Sequence, residues 1–89
     1  MLEKEIEIIN KLGLHARAAA KLVKLASSFD CQIDIQKENQ KVNTKSIMGV
    51  MMLAASRGNI ITIYTEGAEE QNAMEAVESL INDKFGEPE

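Results

Sequence analysis

Leu2-Glu3-Lys4-Glu5-Ile6-Glu7-Ile8 is followed by Asn10-Lys11-Leu12-Gly13 and then by Ala16-Arg17-Ala18-Ala19-Ala20-Lys21-Leu22-Val23-Lys24. The first stretch alternates, with Glu3, Glu5 and Glu7 between Leu2, Lys4, Ile6 and Ile8, and a period of two marks a strand with one wet face. Gly13 punctuates the chain. Beyond it Ala19, Leu22, Val23 and Ala26 recur at i, i+3, i+4, i+7, which predicts a helix from Ala16 to Ser28. Arg17, Lys21, Lys24 and Ser28 share its opposite face. A half-wet strand feeding an amphipathic helix means that the helix covers only one side of a sheet.

The same logic extends along the chain. Cys31, Ile33 and Ile35 alternate with Gln32, Asp34 and Gln36 in a second strand. Glu38-Asn39 is a hairpin turn and Lys41-Val42-Asn43 a short third strand. Ser46 takes the N-cap position before a short helix from Ile47 to Leu53. Arg57-Gly58-Asn59 turns into a fourth strand, Ile60 to Thr65, which is β-branched or aromatic throughout. A last helix spans Glu69 to Lys84, with Ala73, Ala76, Val77, Leu80 and Ile81 as its buried stripe. Glu69 and Glu70 in its first turn and Lys84 in its last complement the helix dipole. The order β-α-β-β-α-β-α predicts an α+β domain whose antiparallel sheet carries three helices on one face. Residues 1–89 form a single domain, and residues 86–89 are expected to fray.

Composition narrows the function classes. With 89 residues there is room for one modest core. Cys31 and His15 are each the only residue of their type, so no internal disulfide and no cysteine or histidine metal cluster is expected. The N-terminus has no signal-peptide pattern, and no apolar run approaches the ~20 residues of a membrane span. These features lead to the expectation of a cytoplasmic monomer that needs no cofactor. The net charge of −4 counts against nucleic-acid binding. Charge is unevenly spread: Lys11, Arg17, Lys21 and Lys24 stand between Ile8 and Phe29 without an acid, whereas Glu66–Glu89 holds eight acids and one base, Lys84. A basic patch on an acidic domain suits an acidic protein partner.

The chemistry concentrates where the first strand gives way to the first helix. A helix N-terminus offers unpaired backbone amides and partial positive charge, a natural anion site. His15 stands at that point, the Ala16 amide lies beside it, and Arg17 adds a planar fork suited to phosphate oxygens. Histidine is a competent nucleophile near neutral pH, and phosphoryl transfer needs chiefly positioning and charge stabilisation. By spacing alone, a single histidine before a helix is more often a surface residue or a cap.

Two longer stretches shift that balance. Asn10-Lys11-Leu12-Gly13-Leu14-His15-Ala16-Arg17 resembles the active-site signature of the HPr family, the phosphocarriers of the phosphoenolpyruvate-dependent phosphotransferase system. Asn43-Thr44-Lys45-Ser46-Ile47-Met48-Gly49-Val50-Met51-Met52-Leu53-Ala54-Ala55 is similar to the family's regulatory serine segment, at matching separation. The resemblance covers nearly the whole chain. It implies an open-faced β-sandwich, a carrier rather than an enzyme, and a pros-phosphohistidine at His15. The phosphoryl group would come from enzyme I and pass to an enzyme IIA-type acceptor, in sugar uptake or nitrogen-type regulation. Arg17 would stabilise the phosphate. Ser46 would be regulatory, a target for an HPr kinase/phosphorylase. Independently of the resemblance, a short helix as apolar as Ile47 to Leu53 cannot bury every face against one sheet, so Ile47, Met48 and Met51 are expected to join the basic Lys21 and Lys24 as partner-binding residues.

One position departs from the family: Ala18 stands where Pro is frequent. The His-Ala-Arg-Ala-Ala-Ala form looks more like HPr-related proteins of proteobacteria, including the nitrogen-related NPr branch. Besides an enzyme in its own right, against which the single histidine and the lack of an evident deep site count, two other readings are open for these residues. One is a regulatory binding module of the same fold controlled through Ser46. The other is an unrelated RNA- or metal-binding α+β domain, against which the scarcity of aromatics and of ligand clusters counts.

Overall fold

The computed structural model describes residues 1–89. Strand β1 (Leu2–Glu7) leads to helix α1 (Ala16–Ser27), strands β2 (Cys31–Lys37) and β3 (Gln40–Asn43), helix α2 (Ile47–Met52), strand β4 (Ile60–Gly67) and helix α3 (Glu70–Asn82). The four strands form one antiparallel sheet in the order β1-β4-β2-β3. Glu38-Asn39 makes the two-residue turn between β2 and β3, as the sequence implies.

The alternation in the strands selects the covered face. Ile6 pairs with Ile61, Ile33 with Thr65 and Ile35 with Ile63 across the ladders. All six side chains are buried. Ala18, Ala19, Leu22 and Ala26 of α1, Val50 of α2, and Ala73, Met74, Val77 and Ile81 of α3 close over them. The buried alanines let α1 pack closely beside α2 and α3, since each adds little volume. The other face stays open, with Glu3, Glu5 and Gln32 exposed.

Two details of the last helix differ from the sequence reading. Glu69 is the N-cap and Glu70 the first-turn acid, and the helix ends at Asn82, so Lys84 lies outside its final turn. The buried stripe includes Met74, while Ala76 and Leu80 are only partly covered.

The chain end also departs from the expected fraying. After α3 a tight turn over Lys84–Gly86 has positive φ at three successive residues: Lys84 (57°), Phe85 (56°) and Gly86 (76°). Left-handed conformation in a non-glycine residue costs about 1–3 kcal/mol and persists only where surrounding contacts enforce it. Here Phe85 is fully buried in the core, and Lys21 Nζ donates to the Phe85 carbonyl at 2.6 Å. The turn reverses the chain and lays Glu87–Glu89 along the Asn10–Leu12 loop, where the Lys11 amide donates to the Glu89 carbonyl at 2.8 Å.

Candidate functional site: the entrance of helix α1

The loop from Asn10 to Leu14 fixes where α1 begins. Gly13 adopts φ +64°, and a Cβ there would lie 2.5 Å from the Ala55 carbonyl oxygen and 2.7 Å from Ser56 Cα. Only glycine accommodates both the angle and the approach. The Leu14 amide donates to that same Ala55 carbonyl at 2.8 Å, and Leu14 is buried. Asn10 is fully buried and closes the loop, its Nδ2 donating to the Gly13 carbonyl at 2.8 Å.

His15 is the N-cap of α1, with extended backbone (φ −76°, ψ 179°), and its carbonyl accepts the Ala19 amide at 2.8 Å. Its side chain makes no cap hydrogen bond. The Ala16, Arg17 and Ala18 amides therefore precede the first helical bond and have no partner within the protein. Ala18 contributes an amide that proline would lack. Ala16 and Arg17 are exposed, and no acid stands in the helix's first turn.

The ring of His15 is held from an unexpected direction. Its Nε2 meets Oε2 of Glu87, at a side-chain exposure of 26% for His15 and 10% for Glu87. The other Glu87 oxygen, Oε1, accepts from Asn10 Nδ2 at 3.0 Å. The Asn10 hydrogen bond is the main reason that the Glu87 carboxyl lies below its ordinary range, with the His15 contact adding to it and desolvation opposing both. Nδ1 of His15 has no protein hydrogen-bond partner. Beside the ring, Lys11, Leu12, Arg17, Glu87, Pro88 and Glu89 line a shallow groove.

The sequence-predicted residues fall into two groups. His15, Ala16 and Arg17 converge on one surface. Lys24 is exposed on the same helix, whereas Lys21 directs its amine to the Phe85 carbonyl. Ser46 caps α2, its Oγ accepting the Gly49 amide at 3.3 Å. Val50 alone is buried on that helix. Ile47, Met48, Met51 and Met52 are exposed, and α2 packs beside α1. Sequence reading missed Glu87 and took Asn10 as the first residue of the active-site stretch without giving it a partner. No group of three or more metal-ligating side chains is present, and no helix is long and apolar enough to cross a membrane.

The chain resembles known proteins over most or all of its length. Residues 2–83 match the family described as PTS HPr component phosphorylation site. The chain is 53% identical over 89 residues to the phosphocarrier protein HPr of Cupriavidus necator and 54% identical over 89 residues to that of Neisseria meningitidis, with all of each chain covered in both cases. Among solved structures it is similar to HPr-C-His from Thermoanaerobacter tengcongensis, with a TM-score of 0.96, 52% identity and full coverage of both chains.

Proposed function

The chain belongs to the HPr family, the phosphocarriers of the phosphotransferase system, and from that premise we propose that His15 is the group that carries the phosphoryl. The donor is phospho-enzyme I and the acceptor an enzyme IIA-type protein, both met in the cytoplasm. The single observation that supports this best is the set of three unpaired amides at the start of α1, in the three residues that follow a part-buried histidine with an unpartnered ring nitrogen.

Nδ1 attacks the phosphorus of the incoming phosphohistidine, and the donor's N–P bond breaks as the new one forms. Phosphoryl oxygens then face the amides of Ala16 and Arg17, where the dipole of α1 favours negative charge. The Arg17 guanidinium adds a mobile cation to the same surface. No deep pocket is needed, because the partner supplies the other half of the reaction chamber.

The partner surface extends from this point over Lys24 to the exposed Ile47, Met48 and Met51 of α2. Methionines on a short helix give an adaptable apolar contact. Ser46 stands at the edge of that contact, where a kinase could add charge without entering the His15 site.

Intact-mass spectrometry after incubation with enzyme I and phosphoenolpyruvate tests the carrier assignment. One phosphate is expected, labile in acid as an N–P bond requires. An acid-stable adduct, or an unmodified protein, would remove His15 from this role.

A further inference from the structure

The contact between the chain end and the histidine has a chemical consequence. A neutral imidazole carries its proton on one nitrogen and its lone pair on the other. A carboxylate fixed against Nε2 accepts that proton and leaves the lone pair on Nδ1. Carboxylates that orient a histidine in this way act through tautomer and charge.

We propose that Glu87 is a positioning residue for phosphoryl transfer: clamped by Asn10, its carboxylate accepts the Nε2–H of His15, so that Nδ1 presents the attacking pair. This rests on the carrier reading of His15 given above. In the transfer, the Nδ1 lone pair forms the new N–P bond, and the donor's N–P electron pair returns to the donor ring. The proton on Nε2 stays in place. The His15 ring therefore leaves the step with a phosphoryl on Nδ1, a proton on Nε2 and a positive charge shared over the ring. Glu87 opposes that charge as it develops. On onward transfer the charge is discharged and the ring returns to its starting tautomer.

Three features distinguish this contact from a loose chain end folding back by chance. Glu87 is held at both oxygens, by Asn10 and by His15. Asn10 is fully buried, and its one amide group serves both the loop at Gly13 and the tail. The turn that delivers Glu87 keeps two non-glycine residues, Lys84 and Phe85, in the left-handed region, anchored by the buried Phe85 ring and by Lys21. Strain sustained next to a reactive side chain is a pointer to function.

Glu87→Gln keeps the shape and removes the charge. Initial rates of enzyme I-dependent labelling are measured for both proteins, together with the His15 Nε2 proton resonance before and after phosphorylation. We expect labelling to fall about tenfold, the scale of one charge-assisted hydrogen bond. The loss should fall on the kcat of enzyme I with this protein as its substrate, the KM for this protein staying unchanged, and the Nε2 proton should move upfield with circular dichroism unaltered. Equal rates in the two proteins would overturn the proposal even if the resonance moved, because the contact would then be structural only. Faster labelling of Glu87→Gln would overturn it in the opposite sense, showing a tail that obstructs the ring. A wild-type protein that takes no label on His15 would overturn the carrier reading itself, and this inference with it.

Discussion

His15 and Ser46 each stand at the N-cap of a helix, with extended backbone angles of φ −76°, ψ 179° and φ −109°, ψ 111° respectively. Ser46 turns its hydroxyl back onto its own helix and satisfies the Gly49 amide. His15 does not: its ring is drawn toward Glu87, and the α1 amides stay unpaired. The first arrangement stabilises a helix of six residues, which has few internal bonds of its own. The second leaves a twelve-residue helix with an open positive end. A side chain at an N-cap either serves the helix or leaves the helix end free for an anion. This chain does one at each of its two motifs.

The largest effect should come from removing the unpaired case. His15→Ala is expected to abolish phosphoenolpyruvate-dependent labelling while leaving the melting temperature close to wild type, since the ring is only part-buried and makes no cap hydrogen bond that alanine would remove. A mutant that still gains one phosphate would transfer the carrier role to another group and end the contrast between the two helix entrances.

Arg17 sharpens the same side of the comparison. It is exposed in the first turn of α1, two residues from the ring, so its charge can serve both the phosphoryl oxygens and an acidic partner. Arg17→Glu should slow labelling by roughly ten- to hundredfold, and Arg17→Lys much less. Association with enzyme I should weaken with salt, because exposed charges are screened over about 8 Å at physiological ionic strength. Salt-independent binding would leave Arg17 with a local role only.

The two entrances were not equally legible in the sequence. Both motifs are contiguous, and each N-cap follows from residues within one helical turn of it. The covered face of the sheet was legible in the first two strands, because Ile6, Ile33 and Ile35 obey a period of two, but not in Ile60 to Thr65, where the run is β-branched or aromatic throughout and only the ladders select Ile61 and Ile63. The strand order β1-β4-β2-β3 was not, since it depends on which ladders form between distant segments. The tail was the main omission. The Glu87–His15 contact joins residues 72 apart, and the turn that makes it possible uses left-handed Lys84 and Phe85, residue types that announce no such conformation. Only the apolar Phe85 beyond the helix, followed by Gly86, hinted that the chain end returns to the core. Asn10 opens the active-site stretch in the sequence, but its role as a clamp was hidden because its second partner lies at the far end of the chain.

Charge at the second entrance provides a smaller perturbation. Ser46→Asp keeps a good N-cap acceptor and places a negative charge where the dipole of α2 favours it, so helix content should hold. That charge borders the exposed Ile47 and Met48, at 40% and 67% exposure. A partner attracted by Lys24 and Arg17 would meet a like charge and a hydrated group at the rim. Labelling of His15 should slow by roughly three- to tenfold, chiefly through association. Equal rates in two folded proteins would make Ser46 a cap and nothing more in this step.

Ser46→Ala isolates the cap from the charge and should have the smallest effect. The hydroxyl accepts the Gly49 amide at 3.3 Å, long for a hydrogen bond, and Ser46 is exposed. Loss of such a cap costs about 0.5–1 kcal/mol. In a domain of this size that corresponds to a melting temperature lower by about 2–8 °C. Fraying would begin at Ile47 and Met48, while Val50, fully buried, holds the rest of α2 against the core. The His15 site draws its geometry from Gly13, Ala55, Asn10 and the tail, none of which depends on the Ser46 hydroxyl. Labelling should therefore proceed at the wild-type rate even as stability falls. Thermal melts and labelling rates on the same preparation separate the two quantities. A rate that dropped in step with the melting temperature would show that the α2 cap and the His15 site are mechanically linked, and the division of labour between the two N-caps would not stand.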